Sequence, residues 1–469
     1  MSTGFQSSFS RRRFLQGGAA TLGFPSLTRA LGNNAKLQHA SIGVGGMGAG
    51  DISAIAGHDK VEIVAICDVD AATLDAQAKK FPNARRYSDW RELFQNESDK
   101  IDSVNVAVPD HMHAAIAMSA IRGGKHVYLQ KPMCHDVAEV RALTNAAREK
   151  NVITQLGTQW ASEPGDRTAL AWIKQGHIGK IKHVYVGSNR PGAGKYRLRG
   201  PRPEKGEPPP ANLNWDLWIG TAPMRDFAPH VYHPGRWRTW QDFGTGWSGD
   251  IGCHILDAVW RILEPSAPRT IVAEVQESWQ NDPRRRRDVW PQCDHITWTF
   301  EGTPSSASQE ITVEWFDGDV DKGKDPVIEG DRFAFYPPKE VQKLWPGENF
   351  PSEFAAFIGE EGTLILPHTS GPLLVPRDKF KQVKRPELPR RGNHYHHWLN
   401  AIVGTEKNES HFDHAGPMSE TVLLGTVALR CPGQLLQWDA INMKFPNYPD
   451  AEKFLRRTYR ESWRTEGLG

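Results

Sequence analysis

The stretch Ala40–Gly50 (ASIGVGGMGAG) constrains this chain more than any other. It reads as the end of a buried strand, a tight glycine turn and the start of a helix. Gly43, Gly45 and Gly48 form G-x-G-x-x-G, with Gly46 and Met47 inside the turn. The first glycine permits the sharp turn, the second lets a pyrophosphate approach the backbone, and the third lets helix and strand pack closely. The helix N-terminus then offers free N–H groups and the positive end of its dipole. Glycines also cluster in ordinary loops, so context decides. Here a β-branched run, Val61–Cys67 (VEIVAIC), ends at Asp68, 20 residues after the third glycine. A dinucleotide fold places there the carboxylate that accepts the ribose hydroxyls. A carboxylate repels a 2′-phosphate, so Asp68 favours NAD over NADP.

From Leu37 to about Gln155 the pattern alternates. Apolar runs fall at Ala40–Val44, Val61–Cys67, Ser103–Val108, Lys125–Leu129 and Val152–Leu156. Helical-period segments fall between them at Gly48–Gly57, Ala71–Phe81, Asp89–Gln95, His113–Gly123 and Asp136–Lys150. Such alternation argues for an α/β fold with a parallel, doubly wound sheet, whose ligands lie beyond the carboxyl ends of the strands. Those ends carry Gly43–Gly48, Asp68, Val108–His113 and Gln130–Pro132.

After Gly157 the character changes. Ala169–Gly176 has a helical period and Lys182–Asn189 reads as a strand, while Arg190–Pro210 has the Pro, Gly and basic content of a long surface loop. Strands are expected at Arg269–Glu277, Asp294–Phe300, Ser308–Trp315 and Gly362–Leu366, and helices at Trp398–Ile402 and Pro417–Leu436. Loops rather than regular helices separate these strands, so the second part is expected to be α+β with an open, largely antiparallel sheet. The chain thus divides into residues 1–35, a nucleotide-binding domain over 36–157 and a substrate-binding and oligomerisation domain over 158–469.

Residues 1–35 are not expected to belong to the fold. Ser10–Leu15 (SRRRFL) resembles the twin-arginine export signal, and the weakly apolar Gly17–Leu31 follows it. The expected location is therefore the periplasm or beyond. The chain's 469 residues carry a net charge of +2, so nothing global points to nucleic acid or a membrane surface. The run Arg284–Arg287 reads as a solvated loop tip. No 18-residue apolar run predicts a membrane span. The five cysteines form no C-x-x-C pair, which argues against both a disulfide framework and a zinc site. His394, His396 and His397 lack an acid or cysteine to complete a ligand set, so no metal is expected.

Three constellations can carry chemistry. Gln130-Lys131-Pro132 follows a strand end, where a lysine points into the cofactor crevice and a cis-proline would hold the turn. The alternative is a surface lysine. In Gly244–Asp257 (GTGWSGDIGCHILD), Asp250, His254 and Asp257 share one face of a helix. An acid one turn before a histidine can fix its tautomer and raise its basicity. The alternative has Asp250 as an N-cap and His254 as a buried, hydrogen-bonded histidine. Val108–His113 (VPDHMH) either lines the nicotinamide side of the cleft, through Pro109, Asp110 and His113, or is a loop leading into an Asp-capped helix. Of the five tryptophans between 215 and 247, most are expected in the core and one or two, Trp237 among them, on a sugar ring.

GVGGMG with Asp68, VPDHMH, QKP, the IGKI turn at Ile178–Ile181 and GDIGCHILD together resemble the Gfo/Idh/MocA oxidoreductases. The resemblance covers roughly residues 38–260, and Tyr395–Arg460 is similar to exported bacterial members of the group. It implies a Rossmann domain, an open-faced sheet domain often used for oligomerisation into dimers or tetramers, a tightly held NAD or NADP, and sugar, inositol or polyol substrates. By the same resemblance Lys131 orients the reacting hydroxyl, Asp250 binds substrate and His254 is the acid/base. One residue departs from the pattern: Gln130 stands where the family has glutamate, and a neutral amide cannot hold Lys131 by charge.

The expectation is therefore an NAD-dependent oxidoreductase of sugars or polyols. One alternative is a glycosidase that oxidises, eliminates and reduces again with bound NAD. The other is a non-catalytic sugar-binding or assembly protein, against which Lys131 and His254 count.

Overall fold

Two sheets, one parallel and one mixed, organise the protein. The computed structural model describes residues 36–318, 332–389 and 393–469, so the arginine-rich Ser10–Leu15 lies outside the described residues.

The first sheet comprises β1 (Leu37–Ile42), β2 (Val61–Cys67), β3 (Arg85–Tyr87), β4 (Ser103–Val106), β5 (His126–Leu129) and β6 (Thr154–Leu156). All its pairings are parallel and its spatial order is β3-β2-β1-β4-β5-β6, the doubly wound order of dinucleotide-binding folds. Between the strands run α1 (Gly46–Ala56), α2 (Ala71–Ala78), α3 (Trp90–Glu97), α4 (Asp110–Arg122) and α5 (Val137–Lys150). Local sequence sets their ends. Asp70 and Asp89 cap α2 and α3, and Asp136 with Glu139 closes a capping box on α5. Buried on both faces, the central strands read as apolar runs, which is why they are visible in the sequence. Edge strand β3 (RRY) has no such run and escapes it.

The second part begins with α6 (Pro164–Lys174), β7 (Ile181–Ser188), α7 (Trp215–Ile219) and α8 (Gly246–Leu263). Its eight-stranded sheet adds β8 (Thr270–Val275), β9 (Asp294–Glu301), β10 (Glu310–Asp317), β11 (Glu353–Gly359), β12 (Thr363–Pro367), β13 (Leu373–Val375) and β14 (Leu436–Gln437). The order is β13-β12-β11-β7-β10-β9-β8-β14, antiparallel except for the β7–β10 pair. Burial alternates along β9, and Trp298 from its inner face donates its Nε1–H to the Thr421 carbonyl at 3.0 Å. Thr421 belongs to the helix Phe412–Arg430, which packs on that face with α8.

Three expectations need correction. β11, a central strand, carries Ala355 and Ala356 where β-branched residues would have signalled it. The last long helix runs from Phe412 to Arg430, taking Pro417 within its length rather than starting there, and Leu436, expected at its end, lies in β14. Arg284–Arg287 is not a loop tip: Pro283–Asp288 is a helical turn capped by Asp282, and Arg285 is buried with its Nε donating to the Arg199 carbonyl at 2.9 Å. No helix among the described residues is long and apolar enough to cross a membrane.

Candidate functional site

The strand order reverses between β1 and β4, and a crevice of about 760 Å³ opens at their carboxyl ends. Gly43 turns the chain at φ +79°, and a Cβ there would strike the Ala107 carbonyl. A Cβ on Gly48 would strike the Gly43 carbonyl, so α1 can leave the strand only through these two glycines. Asp68 faces the same turn. Its Oδ2 accepts the Val44 N–H at 2.9 Å and its Oδ1 the Asp70 N–H at 3.0 Å, while burial pushes its carboxyl up.

Gly43, Gly45, Gly46, Met47 and Asp68 line one side of the crevice. Pro109, Gln130, Lys131, Trp237 and Arg238 are among the residues that line the rest. The first turn of α1 contains no acid, so its N–H groups face the opening without a competing carboxylate. A glycine turn at a helix N-terminus with an acid at the next strand end fits a dinucleotide: pyrophosphate on the turn, ribose on Asp68.

Lys131 leaves β5 through a cis bond to Pro132. Its Nζ donates to Asp250 Oδ1 at 2.9 Å and to the Asp250 carbonyl at 3.1 Å. Arg238 Nε lies 3.3 Å from Asp250 Oδ2. Burial opposes the Asp250 charge, but Lys131 and Arg238 outweigh it and hold the carboxyl at about 2. Charge on Lys131 is therefore matched by Asp250, not by the residue preceding it.

α8 begins after Thr245, so Asp250 is not its N-cap but lies one turn inside. Nor does Asp250 orient His254. The His254 Nδ1 has no hydrogen-bond partner, and burial, reinforced by the Lys131 ammonium, holds the ring well below the usual histidine range. His254 is thus a neutral imidazole at pH 7, able to accept a proton. Asp257 shares the helix face but not the site. It accepts from Arg261 Nε at 2.9 Å and pairs with His414 Nε2 at 2.7 Å.

Asp110 and His113 do not line the crevice. Asp110 is fully buried, and its Oδ2 accepts from the Thr245 N–H at 3.1 Å and hydroxyl at 3.0 Å, tying α4 to the start of α8. Its Oδ1 has no partner, and burial with the nearby Asp250 charge pushes the carboxyl up to about 8. His113 braces two loops, with its ring nitrogens 2.7 Å from the Pro132 carbonyl and 2.8 Å from that of Val108. Gln130 makes no bond to the lysine ammonium: its Oε1 accepts the Lys131 backbone N–H at 3.2 Å, and its amide donates to both oxygens of Asp51 on α1 at 3.0 and 2.9 Å. Tyr395 adds its hydroxyl to Asp51 at 2.7 Å.

All five tryptophans between 215 and 247 are buried; Trp218 and Trp237 also line the crevice. His394 Nε2 bonds the Leu156 carbonyl at 2.8 Å, His396 Nε2 the Ala54 carbonyl at 3.2 Å, and His397 lies 3.7 Å from Glu406. Sequence reasoning missed Arg238 and Asp51. Neither sits in a recognisable motif, and only folding places one on Asp250 and the other behind Gln130.

Comparison with known proteins agrees with this geometry. Residues 37–158 match the oxidoreductase family with an NAD-binding Rossmann fold, and residues 170–337 match that family's C-terminal alpha/beta domain. A levoglucosan dehydrogenase from Pseudarthrobacter phenanthrenivorans is 32% identical over 104 residues, 22% of this chain and 26% of that one. A glycosyl hydrolase family 109 protein from Shewanella pealeana is 27% identical over 151 residues, 30% of this chain and 33% of that one. The chain thus spans only about a quarter to a third of these relatives. Among solved structures, the WlbA dehydrogenase from Bordetella pertussis in complex with NADH and UDP-GlcNAcA superimposes with a TM-score of 0.57 at 16% identity, over 86% of this chain and 99% of that one. The aldose-aldose oxidoreductase from Caulobacter crescentus gives 0.56 at 16% identity, again over 86% and 99%. The glycine turn, Asp68 and the two matched domains together establish that this chain belongs to the Gfo/Idh/MocA family of NAD-binding oxidoreductases.

Proposed function

We propose that the crevice oxidises, or reduces in reverse, a secondary hydroxyl carbon of a sugar or polyol. The observation that carries this reading is a charge-matched lysine, Lys131, on the wall of the dinucleotide crevice, close enough to a neutral histidine, His254, for its ammonium to lower that ring's basicity. NAD bound on the glycine turn and Asp68 supplies the hydride-accepting chemistry. His254 takes the hydroxyl proton. Lys131, aimed by Asp250, holds the oxygen as it becomes a carbonyl. Asp250 and Arg238 offer further polar groups to neighbouring hydroxyls, and Trp237 lines the crevice wall. The relatives named as a levoglucosan dehydrogenase and an aldose-aldose oxidoreductase support a carbohydrate substrate.

A second reading is favoured by the relatives named as glycosyl hydrolase family 109 proteins. There the same residues would oxidise a hydroxyl carbon, eliminate the aglycone and reduce the carbon again, with no net redox change. NADH absorbance followed with free sugars and aryl glycosides, with and without added NAD, separates the two. Accumulating NADH supports net oxidation, and aglycone release without NADH supports the glycosidase. Neither signal from any sugar, in a protein that binds NAD, would return it to a non-catalytic sugar-binding role.

We further propose export through Ser10–Leu15 and assembly as a homo-oligomer. A protein carried out folded takes its cofactor with it and needs a redox-neutral cycle. Cell fractionation tests the first point and sedimentation the second.

A further inference from the structure

A second hollow, of about 240 Å³, opens beside the reacting cluster. The first turn of α6, the short helix Gln159–Ser162 before it and the turn 369–372 after β12 form its walls. Trp160 is 40% exposed there, unlike the buried tryptophans of the crevice. Its ring lies 6.1 Å from that of His368, which lies 5.5 Å from that of His254. A line of three rings thus leads from the reacting base into the hollow. The remaining wall is polar, with Asp166, Ser370 and Arg385. The Asp166 carboxyl makes no hydrogen bond with any described residue. Burial, and then the charge of Asp257, push that carboxyl up to about 8, so at neutral pH it both donates and accepts.

An exposed indole bordered by a carboxyl, a hydroxyl and a guanidinium is the chemistry that receives a pyranose ring. We propose that this hollow is a second sugar subsite, with Trp160 as the stacking platform and Asp166 bonding the ring hydroxyls, so that the substrate is an extended carbohydrate, a di- or oligosaccharide, whose neighbouring residue reacts at His254. This rests on the reading of the crevice as a sugar-oxidising site.

The test uses NAD-loaded protein carrying His254→Ala, so that ligands bind without turning over. Calorimetry compares glucose with maltose and cellobiose, galactose with lactose, and N-acetylglucosamine with diacetylchitobiose. At least one disaccharide is expected to bind roughly three- to tenfold more tightly than its monosaccharide, the worth of one aromatic contact. Trp160→Ala in that background removes the difference and leaves monosaccharide affinity unchanged; Trp160→Phe keeps part of it. Asp166→Asn weakens the disaccharide alone. Thermal melting confirms that each variant folds. Equal affinities throughout, no binding of any sugar, or a disaccharide advantage that survives Trp160→Ala would overturn the subsite. So would a change in solution mass on Trp160→Ala without a change in sugar binding, which would make the indole a contact between copies. Failure of the oxidoreductase reading is seen separately, as neither NADH change nor any altered sugar or released aglycone in NAD-loaded protein with His254 intact.

Discussion

Gln130 gives its side-chain amide to both oxygens of Asp51, at 3.0 and 2.9 Å. A glutamate at 130, the usual family residue, would there confront a second carboxylate at hydrogen-bonding distance. Burial already raises Asp51 to about 6, against the hydrogen bonds from Tyr395 and Gln130 that lower it. In this chain the acid of the pair stands on α1, and the lysine turn supplies its neutral donor.

Gln130→Glu is therefore expected to destabilise the fold by about 1–3 kcal/mol, the cost of two buried acceptors without a donor between them. Gln130→Glu combined with Asp51→Asn restores a donor facing an acceptor and recovers most of the loss. Denaturant unfolding of the two singles and the double closes the cycle. Additive losses would show that the two side chains are not coupled.

His254→Ala and Lys131→Ala each lose about 10²- to 10⁴-fold in turnover with little change in NAD affinity. Because burial and Lys131 keep the His254 ring below the ordinary histidine range, the base stays neutral as pH falls. The acid limb of kcat/KM is expected below pH 6.5. A limb above the normal histidine value, absent from no variant, would remove His254 from the role of base.

Asp110 binds its proton more tightly folded than unfolded, since its carboxyl is pushed up to about 8. Unfolded chains release that proton first, so this residue lowers stability as pH rises from about 4 to 8. Asp110→Asn keeps an acceptor for Thr245 and cannot ionise. Its melting temperature should therefore depend less on pH over this interval than that of the parent. Parallel pH profiles would contradict it.

Asp257 shows the opposite sign. Burial disfavours its charge, but Arg261 and His414 hold the carboxyl far below the usual range. Its stabilising share is present above the unfolded carboxylate value and fades only in strong acid. Asp257→Ala leaves Arg261 short of its main partner and is expected to cost about 3–5 kcal/mol in chemical unfolding. Monosaccharide binding by the folded protein should be unchanged, because Asp257 lies outside the reacting set.

The elements legible in the sequence were those whose burial imposes a pattern. Val61–Cys67 was readable to the residue because both faces are covered. β3 and β11 were not, one being a polar edge and the other carrying two alanines. Motif spacing located Gly43, Asp68, Lys131 and His254, since each follows a strand end or rides a helix face. It misassigned the partners of Asp250, Asp110 and His113. Spacing reports which residues share an element, whereas Arg238, Thr245 and the Pro132 carbonyl come from elsewhere in the chain.

Lys131 leaves a strand of the parallel sheet, and Asp250 rides a helix that packs on the mixed one. Their ion pair is therefore a clasp across a seam, and neither half of the molecule owns the chemistry. A chain could keep a sound nucleotide crevice and a sound histidine helix yet be silent if the halves met out of register. Turnover in this protein measures docking as much as it measures any single side chain.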